Sequence, residues 1–226
     1  MHVGQAAHHE LARLGRGCFG SVLLVQEQGS GRVAAAKVVA SSSRDDDECP
    51  LREPELLRVA QHRHIVQLLE VFQAPTTLFI LQEAARTDLM AHAASCPGGV
   101  LGEPETRAHL AGLLSAVQHI HGLRIVHRDI KATNVLLSER GEVRLADFGL
   151  AVRLPAEGLL TSVCGTHDYL APEMILCGHG EAAGYGPPVD LWGVGLLLYA
   201  LPCGGNPFER DTDVGTLQAI SLLSTY

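Results

Sequence analysis

The sequence has no excess of basic residues, no closely spaced cysteine pair, no apolar run of membrane length and no internal repeat. Each absence removes a class of function. Lys and Arg number 17 against 25 Asp and Glu, a formal charge of −8, and the pI is near 5.8; broad binding to nucleic-acid phosphates needs the opposite sign. The six cysteines (Cys18, Cys49, Cys96, Cys164, Cys177, Cys203) form no C-x-x-C pair, which reads as reduced thiols in a cytosolic protein rather than disulfides or zinc ligands. Among the 12 histidines, His8–His9 and His62–His64 lack helical or finger-like ligand spacing, so solvated surface is expected for them. "LWGVGLLLYAL" is eleven residues, short of the roughly 20 a membrane helix needs, and reads as a buried helix. "MHVGQAAHHE" has no basic stretch followed by an apolar core, so no secretory leader is expected. No membrane or nucleic-acid partner is expected, and the location expected is cytoplasm, with the nucleus left open.

At 226 residues and 46% apolar, the chain can build a sizeable core. Residues 11–40 alternate strand-like pieces with glycines, and "QGSG" marks a hairpin turn. "SSSRDDDE" reads as a solvated loop. "LREPELLRVAQ" has helical spacing at Leu51, Leu56 and Leu57 but carries Pro54, which predicts a late start or a kink. "HIVQLLEVF" and "TTLFILQE" read as two more strands, and Gln82 to Arg86 as a hinge. In "EPETRAHLAGLLSAVQHIHG", Leu110, Leu113, Leu114, Val117 and Ile120 share one face, with Gly122 as C-cap. Sheet first and helices after indicates an α+β arrangement in two lobes, one of about 11–83 and one of about 84–226.

Chemistry-bearing residues cluster in four places. "GRGCFGSV" supplies Gly15, Gly17, Gly20 and Val22 as G-x-G-x-x-G-x-V, and glycines let backbone amides approach phosphate oxygens. A dinucleotide-binding turn carries the same glycines but opens a helix; here "SVLLV" reads as a strand. Lys37 ends the apolar run "RVAAAK", fifteen residues after Val22, and Glu53 stands at the next helix. "RIVHRDIKATNVLL" packs His127, Arg128, Asp129, Lys131 and Asn134 into eight positions, where a surface turn needs one or two polar groups. "ADFG" follows, with Asp147 thirteen residues beyond Asn134, and then Ala171, Pro172 and Glu173.

This ordered set resembles the protein kinase family over residues 11 to about 208: glycine loop, strand Lys, H-R-D…N, D-F-G and A-P-E. The resemblance implies a two-lobe fold and ATP with Mg2+ as cofactors. Gly15, Arg16, Gly17, Cys18, Phe19 and Gly20 would form the loop over the phosphates, with Lys37 paired to Glu53 beneath it. Asp129 would orient the attacking hydroxyl and accept its proton, Lys131 would neutralise charge on the moving phosphoryl group, and Asn134 and Asp147 would hold magnesium. Val22 and Ala35 would lie above the adenine and Leu136 below it, with Leu81 at the back of the pocket. Gln82, Glu83 and Ala84 would offer backbone hydrogen bonds, and Asp88 would meet the ribose. Lys131 and "GTHDYLAPE" resemble serine/threonine kinases, and "ILCGHGEAAGYG" resembles the calcium/calmodulin-dependent group, especially phosphorylase kinase catalytic subunits. Arg128 implies an activating phosphate on Ser162, with Thr161 as second candidate, and Asp190 implies a tie back to the catalytic loop.

Departures accompany the resemblance. His167 and Asp168 stand where the family has Pro and a small residue, and Thr133 stands where the calcium/calmodulin-dependent group has Glu, which puts a strongly basic substrate preference in doubt. After "GGNPFERDT" the family continues with several helices, whereas "DVGTLQAISLLSTY" allows one short one. The expectation is therefore a C-terminally truncated kinase domain, with a chaperone or regulatory partner over the second lobe. Protein substrates with Ser or Thr acceptors are expected. The alternative is a kinase-like chain that binds nucleotide or partners and transfers little phosphate.

Overall fold

Side chains that alternate between the two faces of a pleated strand build the first third of the chain into a sheet. The computed structural model describes residues 2–3, 6–17, 20–40, 51–156 and 158–222. Strands β1 (His2–Val3), β2 (Ala6–Gly17), β3 (Gly20–Glu27), β4 (Val33–Ala40), β5 (Leu68–Ala74) and β6 (Thr77–Glu83) form one antiparallel sheet in the order β1-β2-β3-β4-β6-β5. "QGSG" turns the chain from β3 to β4. The predicted "SSSRDDDE" loop lies outside the described residues. The stretch "HIVQ" stays out of the strands: Ile65 makes only an isolated parallel bridge to Leu145.

The register of β4 against β6 divides the sheet into two faces. Ala36 pairs with Leu81, while Ala35 pairs with Gln82 and Lys37 with Ile80. Leu81 packs with Leu23, Val25, Ala34 and Ala36 on the face away from the second lobe's cleft. The opposite face carries Ala35, Lys37 and Gln82.

Helix α1 (Arg52–Val59) packs behind the sheet with Leu56 and Leu57 buried, while Leu51 is its N-cap and stays exposed. Pro54 neither delays nor kinks it. It is the third helical residue, where the amide would lack an intrahelical partner in any case. Glu53 and Glu55 in that first turn also face the positive end of the helix dipole.

The second lobe runs through β7 (Thr87–Asp88), α2 (Leu89–Ser95), α3 (Glu103–Gly122), β8 (Ile125–Val126), β9 (Val135–Leu137), β10 (Val143–Leu145), β11 (Val152–Arg153), α4 (Pro172–Gly178), α5 (Pro188–Cys203) and α6 (Asp213–Ser221). Two small antiparallel sheets, β10-β9-β7 and β11-β8, hold the loops between α3 and α4. Leu110, Leu113, Val117 and Ile120 of α3 share one core with Val194, Leu197 and Leu201 of α5, and that core reaches Leu56 and Leu57 of α1. Leu114 is exposed, because only a narrower stripe of α3 meets α5. Gly122 lies inside α3, with Leu123 as the C-cap; the residue in left-handed conformation is Arg124. None of the described helices is long and apolar enough to cross a membrane.

The expected solvated histidines are partly internal. His8 is buried, and the His62 ring stacks on His119 with centroids 5.0 Å apart. An imidazole gives both a flat apolar face and a polar edge, so burial costs little when either is used.

Helix α5 supports the segment around Ile130 by close approach. A Cβ on Gly193 would lie 2.7 Å from the Ile130 carbonyl oxygen, whereas one on Gly195 meets nothing within 4 Å. The same substitution in one helix is therefore expected to act with opposite signs. Gly193→Ala should destabilise by ~1–3 kcal/mol through overpacking. Gly195→Ala should stabilise by up to ~1 kcal/mol through helix propensity. Denaturant unfolding of both variants checks this, and equal shifts would contradict the close contact.

Candidate active site

The glycine loop joins two antiparallel strands: Arg16 pairs with Ser21 and Gly17 with Gly20. No helix follows it, which removes the dinucleotide-binding alternative. Gly20 has φ +141, and a Cβ there would fall 1.9 Å from the Val38 carbonyl oxygen, so no side chain fits. Cys18 and Phe19 lie outside the described residues. Arg16 is exposed on the β2 rim.

Beneath that loop Lys37 joins three elements. Its Nζ lies 2.6 Å from Glu53 Oε2 on α1 and 2.6 Å from Asp147 Oδ1. The other Glu53 oxygen accepts from Gln82 Nε2 at 3.3 Å. Burial alone pulls the ammonium's pKa down, yet the Glu53 and Asp147 carboxylates outweigh it and hold it above the ordinary lysine range. Burial likewise pushes Asp147 up, and Lys37 more than reverses this, leaving the carboxyl below its usual range. Asp147 adopts a left-handed backbone (φ 59), with Phe148 next to it fully buried and edge-on to the His127 ring at 4.9 Å.

The segment from His127 to Asp129 is organised from behind by Asp190, itself buried at the start of α5. Its carboxylate accepts from the His127 amide at 2.9 Å, the Arg128 amide at 2.8 Å and His121 Nε2 at 2.8 Å. His127 Nε2 donates to the Ala146 carbonyl at 3.0 Å, and its Nδ1 accepts from the Asp129 amide at 3.3 Å. Arg128, with φ 68, turns its side chain the other way. Its guanidinium reaches the Leu150 carbonyl at 2.8 Å, Ser162 Oγ at 3.3 Å and Tyr185 Oη at 3.3 Å, and Tyr185 donates to the Ser162 carbonyl.

Four donors converge on the Asp129 carboxylate. Oδ2 accepts from Asn134 Nδ2 at 2.9 Å and pairs with Lys131 Nζ at 2.8 Å. Oδ1 accepts from the Thr166 amide at 3.1 Å and hydroxyl at 2.8 Å, and Lys131 donates to that same hydroxyl at 2.6 Å. Thr166 is thus a member of the cluster that sequence reasoning used only as a family marker; nothing in its spacing from Asp129 announces the contact.

Between the lobes lies a cleft of about 350 Å³. Of the residues expected there, Gly15, Val22, Ala35, Lys37, Glu53, Gln82, Glu83, Asp88, Asn134, Leu136 and Asp147 line it. Leu81, Ala84, Arg16, Gly20, Asp129 and Lys131 do not. Strand alternation turns Leu81 into the sheet's far face and places Gln82 at the back of the cleft, so the expected hinge register is one residue early. The Glu83 amide already donates to the Gln67 carbonyl at 2.9 Å. Ala85 lines the cleft, and its amide makes no hydrogen bond among the described residues. Asp88 serves twice, lining the cleft and capping α2 through Ala91 N at 2.8 Å.

Comparison with known proteins agrees with this geometry. The family described as protein kinase domain matches residues 8–223. Protein kinase C eta type from Homo sapiens is 37% identical over 213 residues, 92% of this chain and 30% of that protein. Sucrose non-fermenting protein kinase 1 from Fusarium virguliforme is 36% identical over 223 residues, 97% and 31%. The liver/testis phosphorylase b kinase gamma catalytic chain from Mus musculus is 34% identical over 221 residues, 92% and 53%. The chain thus spans under a third of the first two and about half of the third. With a glycine hairpin between two antiparallel strands, Lys37, Glu53 and Asp147 lining one cleft, Asn134 of that lining bonded to Asp129, and a family match over nearly all its length, the chain belongs to the protein kinase family.

Proposed function

We propose that the chain is a serine/threonine protein kinase that transfers the γ-phosphate of ATP to Ser or Thr hydroxyls of protein substrates. The observation that carries this reading is the Asp129 carboxylate, held by Asn134, Lys131 and Thr166 beside the Lys37–Glu53–Asp147 array. Phosphoryl transfer asks a protein chiefly for positioning and charge neutralisation, and this arrangement offers both. The related kinases' names point the same way.

In this reading the adenine enters between Val22 and Ala35 on one side and Leu136 on the other. The Ala85 amide donates to its edge and Gln82 closes the back. Lys37 holds the α- and β-phosphates, positioned by Glu53. Asn134 Nδ2 is used by Asp129, which leaves its carbonyl oxygen for a cation; with the Asp147 carboxylate it makes the hard oxygen set that suits magnesium. Bound there, magnesium would neutralise the triphosphate. Asp129 takes the proton of an acceptor hydroxyl that displaces the Thr166 hydroxyl from Oδ1. Lys131, between Asp129 and Thr166, balances the charge that develops.

Asp129→Asn should lower phosphate transfer to a generic basic protein by ~10²–10⁴-fold, the range for loss of a general base, with nucleotide affinity retained. Lys37→Met should lower it by at least ~10²-fold through loss of a phosphate-binding charge. A radiolabelled ATP assay beside a nucleotide-binding titration checks both. Wild-type turnover in both variants would contradict the assignment, and nucleotide binding without transfer in the parent chain would favour the non-catalytic alternative.

Ser162 is the proposed activating site on the same reading. It is exposed, and its hydroxyl already points at the Arg128 guanidinium. A phosphate there adds about −1.5 to −2 charges opposite that cation and would fix the segment between D-F-G and A-P-E. In a Thr161→Ala background, Ser162→Glu should be more active than Ser162→Ala. Equal rates would remove the switch.

A further inference from the structure

A second constellation of chemistry-bearing side chains lies outside the cleft, where His92 of α2 meets α3. Glu105 and His109 are one helical turn apart on α3, so both project from one face. Glu105 Oε1 is 2.8 Å from His92 Nε2 and 3.5 Å from His109 Nε2. The two imidazoles stand edge to face, with centroids 6.1 Å apart at 82°. One oxygen and two ring nitrogens therefore lie within 4.8 Å of one another.

Hydrogen bonding alone leaves this group unfinished. His92 and Glu105 satisfy each other, but His109 Nε2, buried and 3.5 Å from Glu105 Oε1, completes no hydrogen bond among the described residues, a condition that is unfavourable. A cation accepting from all three residues would satisfy that nitrogen without adding a proton.

The distances suit one class of cation. Zinc bonds nitrogen and carboxylate oxygen at about 2.0–2.2 Å in tetrahedral geometry, which sets ligand-to-ligand separations near ~3.3–3.5 Å. The observed separations from Glu105 bracket that value. Two imidazoles with one carboxylate also form a known zinc set in which the fourth position is left to water. Calcium and magnesium prefer all-oxygen shells and fit poorly.

We propose that His92, Glu105 and His109 form a zinc-binding site, closed by water, that ties α2 to α3. Its consequence for the fold is local stiffening. Helix α2 is capped by Asp88, so the tie would hold the helix that leads directly out of the nucleotide cleft.

The full chain, stripped with chelator, would be titrated with Zn2+ by calorimetry and with Co2+ by visible absorption. Saturation of a site with micromolar or tighter affinity, a rise in Tm with zinc and an intense tetrahedral cobalt spectrum are expected. His92→Gln, Glu105→Gln and His109→Gln should each weaken binding by at least about tenfold, the lower bound seen for outer-shell partners of a metal. His62→Gln, in the other histidine cluster, should leave it unchanged. The cobalt spectrum reads the wild type directly, so a variant that fails to fold does not decide the result. An octahedral cobalt spectrum, unchanged affinity in the folded variants, or equal loss in His62→Gln would overturn the site.

Discussion

The buried carboxylate of Asp190 fixes the backbone on which the functional residues hang. Two consecutive amides, from His127 and Arg128, point at it, and that geometry goes with a left-handed Arg128. The conformation costs a residue with a Cβ roughly 1–2 kcal/mol, so it persists because the surroundings determine it. The consequence is divergence. His127 turns inward to Ala146, Arg128 outward to Ser162, and Asp129 toward Asn134, Lys131 and Thr166. Three neighbouring residues thereby reach the core, the segment that carries Ser162 and the polar cluster around Thr166. Gly193, one turn along α5, admits the Ile130 carbonyl at a distance no side chain would allow.

Charge joins this segment to the sheet. Lys37 on β4 holds both Glu53 and Asp147 at 2.6 Å, so the helix of the first lobe and the D-F-G segment share one cation. Breaking a buried pair by removing one partner leaves an uncompensated charge. The array is therefore sensitive to any displacement of α1, and Gln82 steadies it from the hinge side through the second Glu53 oxygen. The same strand register that aims Gln82 inward sends Leu81 to the far face.

Much of this was legible in the order of motifs, because the protein kinase family's motifs are short contiguous segments. The glycine hairpin, Lys37, the segment from His127 to Asn134 and Asp147 could all be placed through the ordered resemblance to the protein kinase family. The hinge register was not legible: it depends on which face each β6 residue takes, and pairing with β4 decides that. Pro54 read as a helix breaker because its position within the first turn is invisible until the start of α1 is known. His8 and His62 were expected in solvent by a rule about ligand spacing, which ignores that an imidazole can bury one face or stack, as His8 and His62 do. Thr166 was missed as a partner of Asp129 because the contact joins residues 37 apart.

Asp190→Asn tests the organising constraint most directly. The amide keeps the shape but cannot serve all three donors as the carboxylate does. Turnover should fall by roughly 10²-fold, the effect of a misplacement of about 1 Å. Stability should fall by ~1–3 kcal/mol from unsatisfied buried groups. ATP affinity should stay unchanged, since Asp190 is not among the residues lining the cleft. Wild-type turnover and stability in this variant would contradict the account.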